Sequence, residues 1–286
     1  MKIVVTGGSG QFGQCLKVQA DRQLAAWIFL ERRSLDIANA NDWEAVLAHE
    51  QPDWVINAAA YTNVEAAEDH RDEAFRINAE GVALGAKLCA EAGVNFIHLS
   101  TDYVFDGAAK TPYDEAAPTH PLSVYGASKL AGERAVRAAH PEAIIVRLSW
   151  LYSPYGKNFL RTMLQRFADG MPTRVVNDQV ASPTCGLSFA DDLQELIRAA
   201  NKNKKLLGST LHYAQGGEAS WYDFARAIAD LSNRTVELSA VDSAAFPTKA
   251  VRPAYSKLDT TRFCKAIGRD IADWKSDLQR CINAML

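Results

Sequence analysis

The apolar run KIVVT (residues 2–6) ends in the string GGSGQFG (7–13), and residues 11–20 then read as a helix. No other stretch narrows the possible folds so far. Glycine amides can come close to a pyrophosphate, and the N-terminus of the following helix favours its negative charge. Strand, glycine turn and helix in that order therefore predict a dinucleotide site on a parallel α/β sheet. Glycines at 7, 10 and 13 give one spacing, while Gly8, Gly10 and Gly13 also fit GxGxxG, so the pattern leaves open which is used. Gly7, Ser9, Gly10, Gln11, Phe12 and Gly13 are the expected contacts, Ser9 to Phe12 through their backbone.

Apolar runs at 26–30, 53–57, 95–100 and 143–150 alternate with helical stretches at 42–50, about 71–92 and about 124–139. Continuous apolar strands between amphipathic helices indicate a parallel sheet covered on both faces, a doubly wound (Rossmann) α/β fold. Residues 1–151 are the expected NAD(P)-binding domain. Beyond Tyr152 the rhythm turns irregular, with a helix at 159–169, another at 187–200 and a strand at 210–214. Residues 183–216 are expected to return to the first domain, and 152–182 with 217–286 to form a smaller C-terminal α+β substrate lobe.

Composition narrows the function. The 286 residues are 48% apolar, with 31 basic against 34 acidic side chains and a net charge of −3. Dispersed basic residues on a nearly neutral chain argue against a nucleic-acid binder. No apolar run approaches the ~20 residues that cross a bilayer, and a strand beginning at Lys2 leaves no room for a signal peptide. No membrane partner is expected, and the expected compartment is the cytoplasm. Five cysteines (Cys15, Cys89, Cys185, Cys264, Cys281) are scattered without a CxxC pair, and six histidines show no HExxH spacing. Reduced, mostly buried thiols and no local metal-ligand set follow.

Glu31, Arg32 and Arg33 end the second strand. A carboxylate there would bond a ribose 2′-hydroxyl, whereas a guanidinium would hold a 2′-phosphate. Two arginines beside one glutamate favour NADPH, with NADH also usable. Asp36 and Ile37 are expected beside the adenine. Asn57, Ala58, Ala59 and Ala60 are expected where the third strand meets the coenzyme, their short side chains letting the backbone come close.

Tyr125 and Lys129 lie four apart in the helix-forming stretch VYGASKLAGE (124–133), on one face. Ser100 and Thr101 close the fourth strand, with Thr101 24 residues before Tyr125. A hydride arriving at a carbonyl carbon generates an alkoxide, so reduction needs a proton delivered to that oxygen. Tyr125 is the expected donor. Moving a phenol pKa roughly 3 units toward neutrality takes about 4 kcal/mol, and Lys129, aided by the charge of the oxidised coenzyme, is the expected source. Lys129 is also expected to bond the nicotinamide ribose, and Thr101 to bond the carbonyl oxygen.

At these residues the chain resembles the extended short-chain dehydrogenase/reductases. NAAAYTNVEAAE (57–68), STDYVFDG (100–107), YGASKLAGE (125–133), RLSWLY (147–152), NDQVASPT (177–184) and RPAYSKLD (252–259) make it similar, over nearly its entire length, to the dTDP-4-dehydrorhamnose reductase family. The glycine loop and YxxxK are superfamily-wide, whereas STDYVFDG, NDQxxxPT and RPxxSxLD are more specific. The resemblance implies NADPH-dependent reduction of the C4 ketone of a dTDP-linked 4-keto-6-deoxy sugar, in dTDP-rhamnose and surface polysaccharide biosynthesis. It implies Thr101, Tyr125 and Lys129 as the catalytic trio. Asp102, Tyr103 and Trp150 are implied at the sugar, Val64 and Glu65 along the same cavity, and Asn177, Gln179 and Arg252 at the nucleotide end. The family also includes dimers bridged by magnesium through acidic side chains, one of them in the first helix. Cys15 stands where that carboxylate is expected, which leaves magnesium and a homodimer open. Two other readings share these residues. One is a reductase or epimerase of another nucleotide-linked 4-ketohexose, and the other is a non-catalytic dinucleotide-sensing regulatory subunit.

Overall fold

A computed structural model describes residues 1–285. Along the chain run β1 (Lys2–Thr6), α1 (Gln11–Gln19), β2 (Ala26–Leu30), α2 (Ala40–Glu50), β3 (Trp54–Asn57), α3 (Val64–Ala67) and α4 (Arg71–Phe75). A π-helical stretch (Arg76–Gly81) joins α4 to α5 (Val82–Glu91), followed by β4 (Asn95–Thr101), a 3-10 turn (Asp102–Val104), α6 (Val124–Ala139) and β5 (Ile144–Leu148). Next come β6 (Leu151–Tyr152), α7 (Phe159–Ala168), β7 (Thr173–Val176), β8 (Val180–Ala181), β9 (Thr184–Cys185), α8 (Gly186–Lys202) and β10 (Thr210–Tyr213). The chain finishes with β11 (Ala219–Ser220), α9 (Trp221–Leu231), β12 (Leu238–Val241), α10 (Thr261–Ile267) and α11 (Trp274–Asn283).

Six strands form one parallel sheet in the order β10-β5-β4-β3-β1-β2. Its faces are filled by alternate side chains of each strand. Ile3, Val5, Trp54 and Ile56 pack toward Leu16 of α1 and Phe189 and Leu193 of α8, whereas Val4, Val55 and Phe96 pack toward Trp43 of α2 and Val82 of α5. Burial on both faces is why these strands read as unbroken apolar runs. Because β1 is followed by β2 on one side and has β3 on the other, the chain reverses direction between them. That opens a crevice at the carboxyl ends of the strands, where α/β sheets hold ligands. Outside the sheet, β12 pairs with β7, β11 with β8, and β6 with β9.

Two elements differ from the sequence expectation. The helix expected over about 71–92 is interrupted by the π-helical stretch. Asn78 there is bonded to Tyr61 N and O, and its Nδ2 donates to Ser128 Oγ of α6 at 2.9 Å. The wider turn brings Asn78 against Gly132, where a Cβ would overlap the Asn78 carbonyl oxygen. The strand expected to run to Trp150 ends at Leu148, because Trp150 takes a left-handed backbone (φ +44°) that leaves the sheet. Cys15, Cys89, Cys185 and Cys281 are buried free thiols, and Cys264 is partly exposed.

Candidate active site

The glycine loop leaves no room for side chains. Gly7 has φ +66°, and a Cβ on it would lie 2.8 Å from Ala59 N. Gly10 N–H closes the turn on Gly7 O at 2.9 Å. Gly13 packs behind the loop, where a Cβ would drive into the Gly7 carbonyl and sit 2.7 Å from Gly8 Cα. Helix α1 starts at Gly10 with no side-chain cap, whereas α6, α7 and α9 are capped by Ser123, Asn158 and Ser220. Uncapped first-turn amides over a side-chain-free loop fit an anionic diphosphate.

A cavity of about 670 Å³ runs from this loop to Trp150 and Trp221. Gly7, Ser9, Gly10, Gln11 and Phe12 bound one end, together with Arg32, Asp36, Ile37 and Ala58 to Ala60. Val64, Thr101, Asp102, Tyr103, Tyr125, Lys129, Trp150 and Arg252 line the remainder. The other expected residues stand off the cavity. Arg33 Nε pairs with Glu31 at 3.2 Å, its side chain 83% exposed. Asn57 is buried between Thr6 and His98. Glu65 accepts from Arg252 at 2.7 Å and from Lys249 N at 3.0 Å. Asn177 is exposed, its N–H bonded to Val241 O, and Gln179 donates to Ser243 Oγ at 2.8 Å.

Strand β4 and helix α6 assemble the reactive corner. Thr101 ends β4, and Tyr125 and Lys129 project from the first turns of α6. Thr101 Oγ1 donates to Asp102 Oδ1 at 3.1 Å and accepts from Tyr103 N at 3.3 Å. Asp102 is buried, and its Oδ2 also accepts from Ser149 (3.1 Å) and Ser256 (2.5 Å). Burial pushes its carboxyl up to about 6 against the three hydroxyl donors. Tyr103 meets Tyr125 edge to face at 5.6 Å.

The Tyr125 phenol lies above its ordinary value. Burial pushes it up to about 12, with the Thr101 hydrogen bond pulling down and the Asp102 charge pushing up. Lys129 Nζ donates to Leu99 O at 2.6 Å and lies 3.5 Å from His98 Nε2. Burial draws Lys129 down to about 8, with Glu133 opposing. At neutral pH a lysine lowered only to about 8 is still largely the ammonium, and Tyr125 is protonated, the form a proton donor requires.

Several lining residues escape the sequence reading. Trp221 stacks flat on Trp150, centroids 3.5 Å apart and planes 8° apart, with Phe159 at 4.6 Å. Trp221 opens an amphipathic helix, so its spacing signals core rather than cavity. Lys157 and Asn158 reach the cavity from the turn before α7. Arg252 has a buried Nε with no hydrogen-bond partner, while its terminal nitrogen holds Glu65.

Residues 1–286 match the family model described as RmlD substrate binding domain. The chain is 37% identical over 295 residues to dTDP-4-dehydrorhamnose reductase of Sinorhizobium fredii, covering 100% of this chain and 98% of that one. A crystal structure of a dTDP-4-dehydrorhamnose reductase from Clostridium acetobutylicum superposes with a TM-score of 0.93 at 35% identity, covering 100% and 99% of the two chains. That of the Bacillus anthracis enzyme in complex with NADP superposes with a TM-score of 0.92 at 34% identity, covering 99% and 100%.

Proposed function

The chain belongs to the RmlD substrate binding domain family, within the extended short-chain dehydrogenase/reductases, and on that basis we propose that it reduces the C4 ketone of dTDP-4-dehydro-β-L-rhamnose to dTDP-L-rhamnose with NADPH. The observation that carries the reading is Tyr125 beside Thr101 and Lys129, in one cavity with the glycine loop. Bound NADPH supplies the hydride. Tyr125 holds its proton until the C4 oxygen becomes alkoxide-like and more basic than the phenolate, and then transfers it from Oη. Thr101 gives the same oxygen a second hydrogen bond once its hydroxyl turns from Asp102 Oδ1. Lys129, one helical turn from Tyr125, serves the ribose hydroxyls, and Arg32 the 2′-phosphate. The stacked Trp150 and Trp221 offer an apolar wall to the C6 methyl. Arg252, which lines the cavity, serves the diphosphate.

In this reading residues 1–151 and 183–216 hold the coenzyme, and 152–182 with 217–286 hold the sugar nucleotide. The compartment proposed is the cytoplasm; among the described residues no helix is long and apolar enough to cross a membrane. Cys15 lies buried against Gly186 of α8, its thiol pushed up to about 12 by burial, so it offers no ligand to a cation shared with a second copy.

The test follows NADPH absorbance with dTDP-4-keto-6-deoxyglucose, with and without a 3,5-epimerase. Oxidation that requires the epimerase is expected. An equal rate without it assigns a different 4-keto sugar, and tightly copurifying NAD with no net oxidation assigns an epimerase. Tyr125→Phe is expected to lower turnover by about 10² or more while NADPH affinity, read by fluorescence titration, is retained.

A further inference from the structure

Three buried polar side chains stand in register across β1, β3 and β4 of the sheet. Thr6 of β1 is opposite Asn57 of β3, and Asn57 is opposite His98 of β4. The row ends at Lys129, whose Nζ is 3.5 Å from His98 Nε2. Nothing in the reductase mechanism above uses His98.

Its donors and acceptors are fixed from one end. Ala59 N–H donates to Thr6 Oγ1 at 3.2 Å, so the Thr6 proton goes to Asn57 Oδ1 at 2.7 Å. With Oδ1 engaged, Asn57 presents Nδ2 to His98 Nδ1 at 3.1 Å. An amide nitrogen only donates, so Nδ1 accepts, and the neutral ring carries its proton on Nε2. An Nε2–H has nothing with which to accept from an ammonium. It bonds Lys129 only when Nζ has a lone pair, that is, as the neutral amine.

We propose that the Thr6–Asn57–His98 row fixes the tautomer of His98 and makes it a positioning residue that favours the neutral amine of Lys129. The other charged neighbours are few. Glu133, one turn along α6, favours the ammonium, but its carboxylate is paired with Arg147 of β5 and bonded by Ser100. Asp102 is held by its own three hydroxyl donors. The π-helical stretch presents the neutral Asn78 to α6. Burial and the charge of Lys129 hold His98 well below its ordinary value, so the ring stays neutral and the tautomer question stands alone. Through this row, the strand that carries the glycine loop touches the protonation state of the lysine. The bearing on turnover rests on the reductase reading above; the protonation pattern does not.

The experiment is long-range ¹H–¹⁵N NMR on coenzyme-free protein labelled at histidine, with His98 identified by the resonance lost in His98→Leu. The expected pattern is Nε2–H with an unprotonated Nδ1, unchanged down to about pH 5. An Nδ1–H tautomer, or an imidazolium at pH 7, overturns the proposal. A second measurement follows the ¹³Cε resonance of Lys129. In the wild type a midpoint near 8 is expected, and in His98→Leu the midpoint is expected to rise by about one unit, a tenfold change. An unmoved midpoint in the folded variant also overturns it. If His98→Leu does not fold, Thr6→Val serves both purposes. With the Thr6 donor gone, Asn57 is free to turn, and a gain of the Nδ1–H form is expected, whereas an unchanged tautomer refutes control by the row. Neither resonance depends on any substrate being reduced, so failure here and failure of the reductase assignment are distinguishable.

Discussion

Arg32 and Arg33 are neighbours in sequence and differ in what they face. Arg32 borders the cavity, while Arg33 is turned to solvent with Glu31. A charge-assisted bond to a 2′-phosphate contributes about 1.5–3 kcal/mol, roughly 10- to 100-fold in affinity. Arg32→Ala is therefore expected to weaken NADPH by that factor relative to NADH, and Arg33→Ala to leave the ratio unchanged, both read from fluorescence titration. Asp102 makes a prediction in pH. Its folded value of about 6 lies above the ordinary 3.8. Between these pH values the folded chain keeps a proton that the unfolded chain has released. Stability from this group is therefore lost as pH rises through the window, by up to roughly 3 kcal/mol. Asp102→Asn, whose amide the Thr101, Ser149 and Ser256 hydroxyls can still bond, is expected to flatten the dependence of urea unfolding on pH between 4 and 6. An unaltered slope assigns the effect to another group.

The first βα unit shows how an element is held by what it lacks. Gly13→Ala would push a methyl group onto the Gly7 carbonyl and Gly8 Cα, backbone atoms with no rotamer to change. A loss of about 1–3 kcal/mol in stability and at least a tenfold loss of NADPH affinity are expected. Gly10→Ala, whose Cβ would meet Gly7 O at 3.0 Å, is expected to lose less in both measurements. This unit is legible in the sequence because every constraint on it is local: a strand, a turn and a helix within about twenty residues. Tyr125 and Lys129 are legible for the same reason, one turn apart on one helix. The π-helical stretch is not, because its cause is Asn78 reaching Ser128, 50 positions away, and helical periodicity carries no trace of that contact. Trp150 reads as the end of a strand until its left-handed backbone shows that the strand has already stopped.

At the scale of the whole molecule, the C-terminal segment fastens to α3 and the loop after it through Arg252 on Glu65 and Lys249 on Asp69. The two contacts differ in kind. Lys249 and Asp69 are both largely exposed, and solvent screens them, whereas Arg252 lines the cavity with a buried, unpartnered Nε. Arg252→Ala is expected to raise KM for the sugar nucleotide about tenfold or more with NADPH affinity unchanged. Lys249→Ala is expected to leave both within twofold. The Trp150–Trp221 stack and the bond from Ser256 to Asp102, across 154 positions, belong to this scale too. They are the least legible parts of the site, since each half alone has an ordinary local explanation: a tryptophan after a strand, an aspartate in a turn, a serine in a loop.

The Ser256 hydroxyl that bonds the carboxyl beside Thr101 is translated 154 positions after its partner, and β10, on the edge of the sheet, also follows the glycine loop and α6 in synthesis. A nascent chain thus completes the surroundings of its acid long after the nucleotide loop has been made. The core behind the loop is finished no sooner, because Phe263, Trp274 and Leu278 belong to the same buried cluster as Val5 and Leu16.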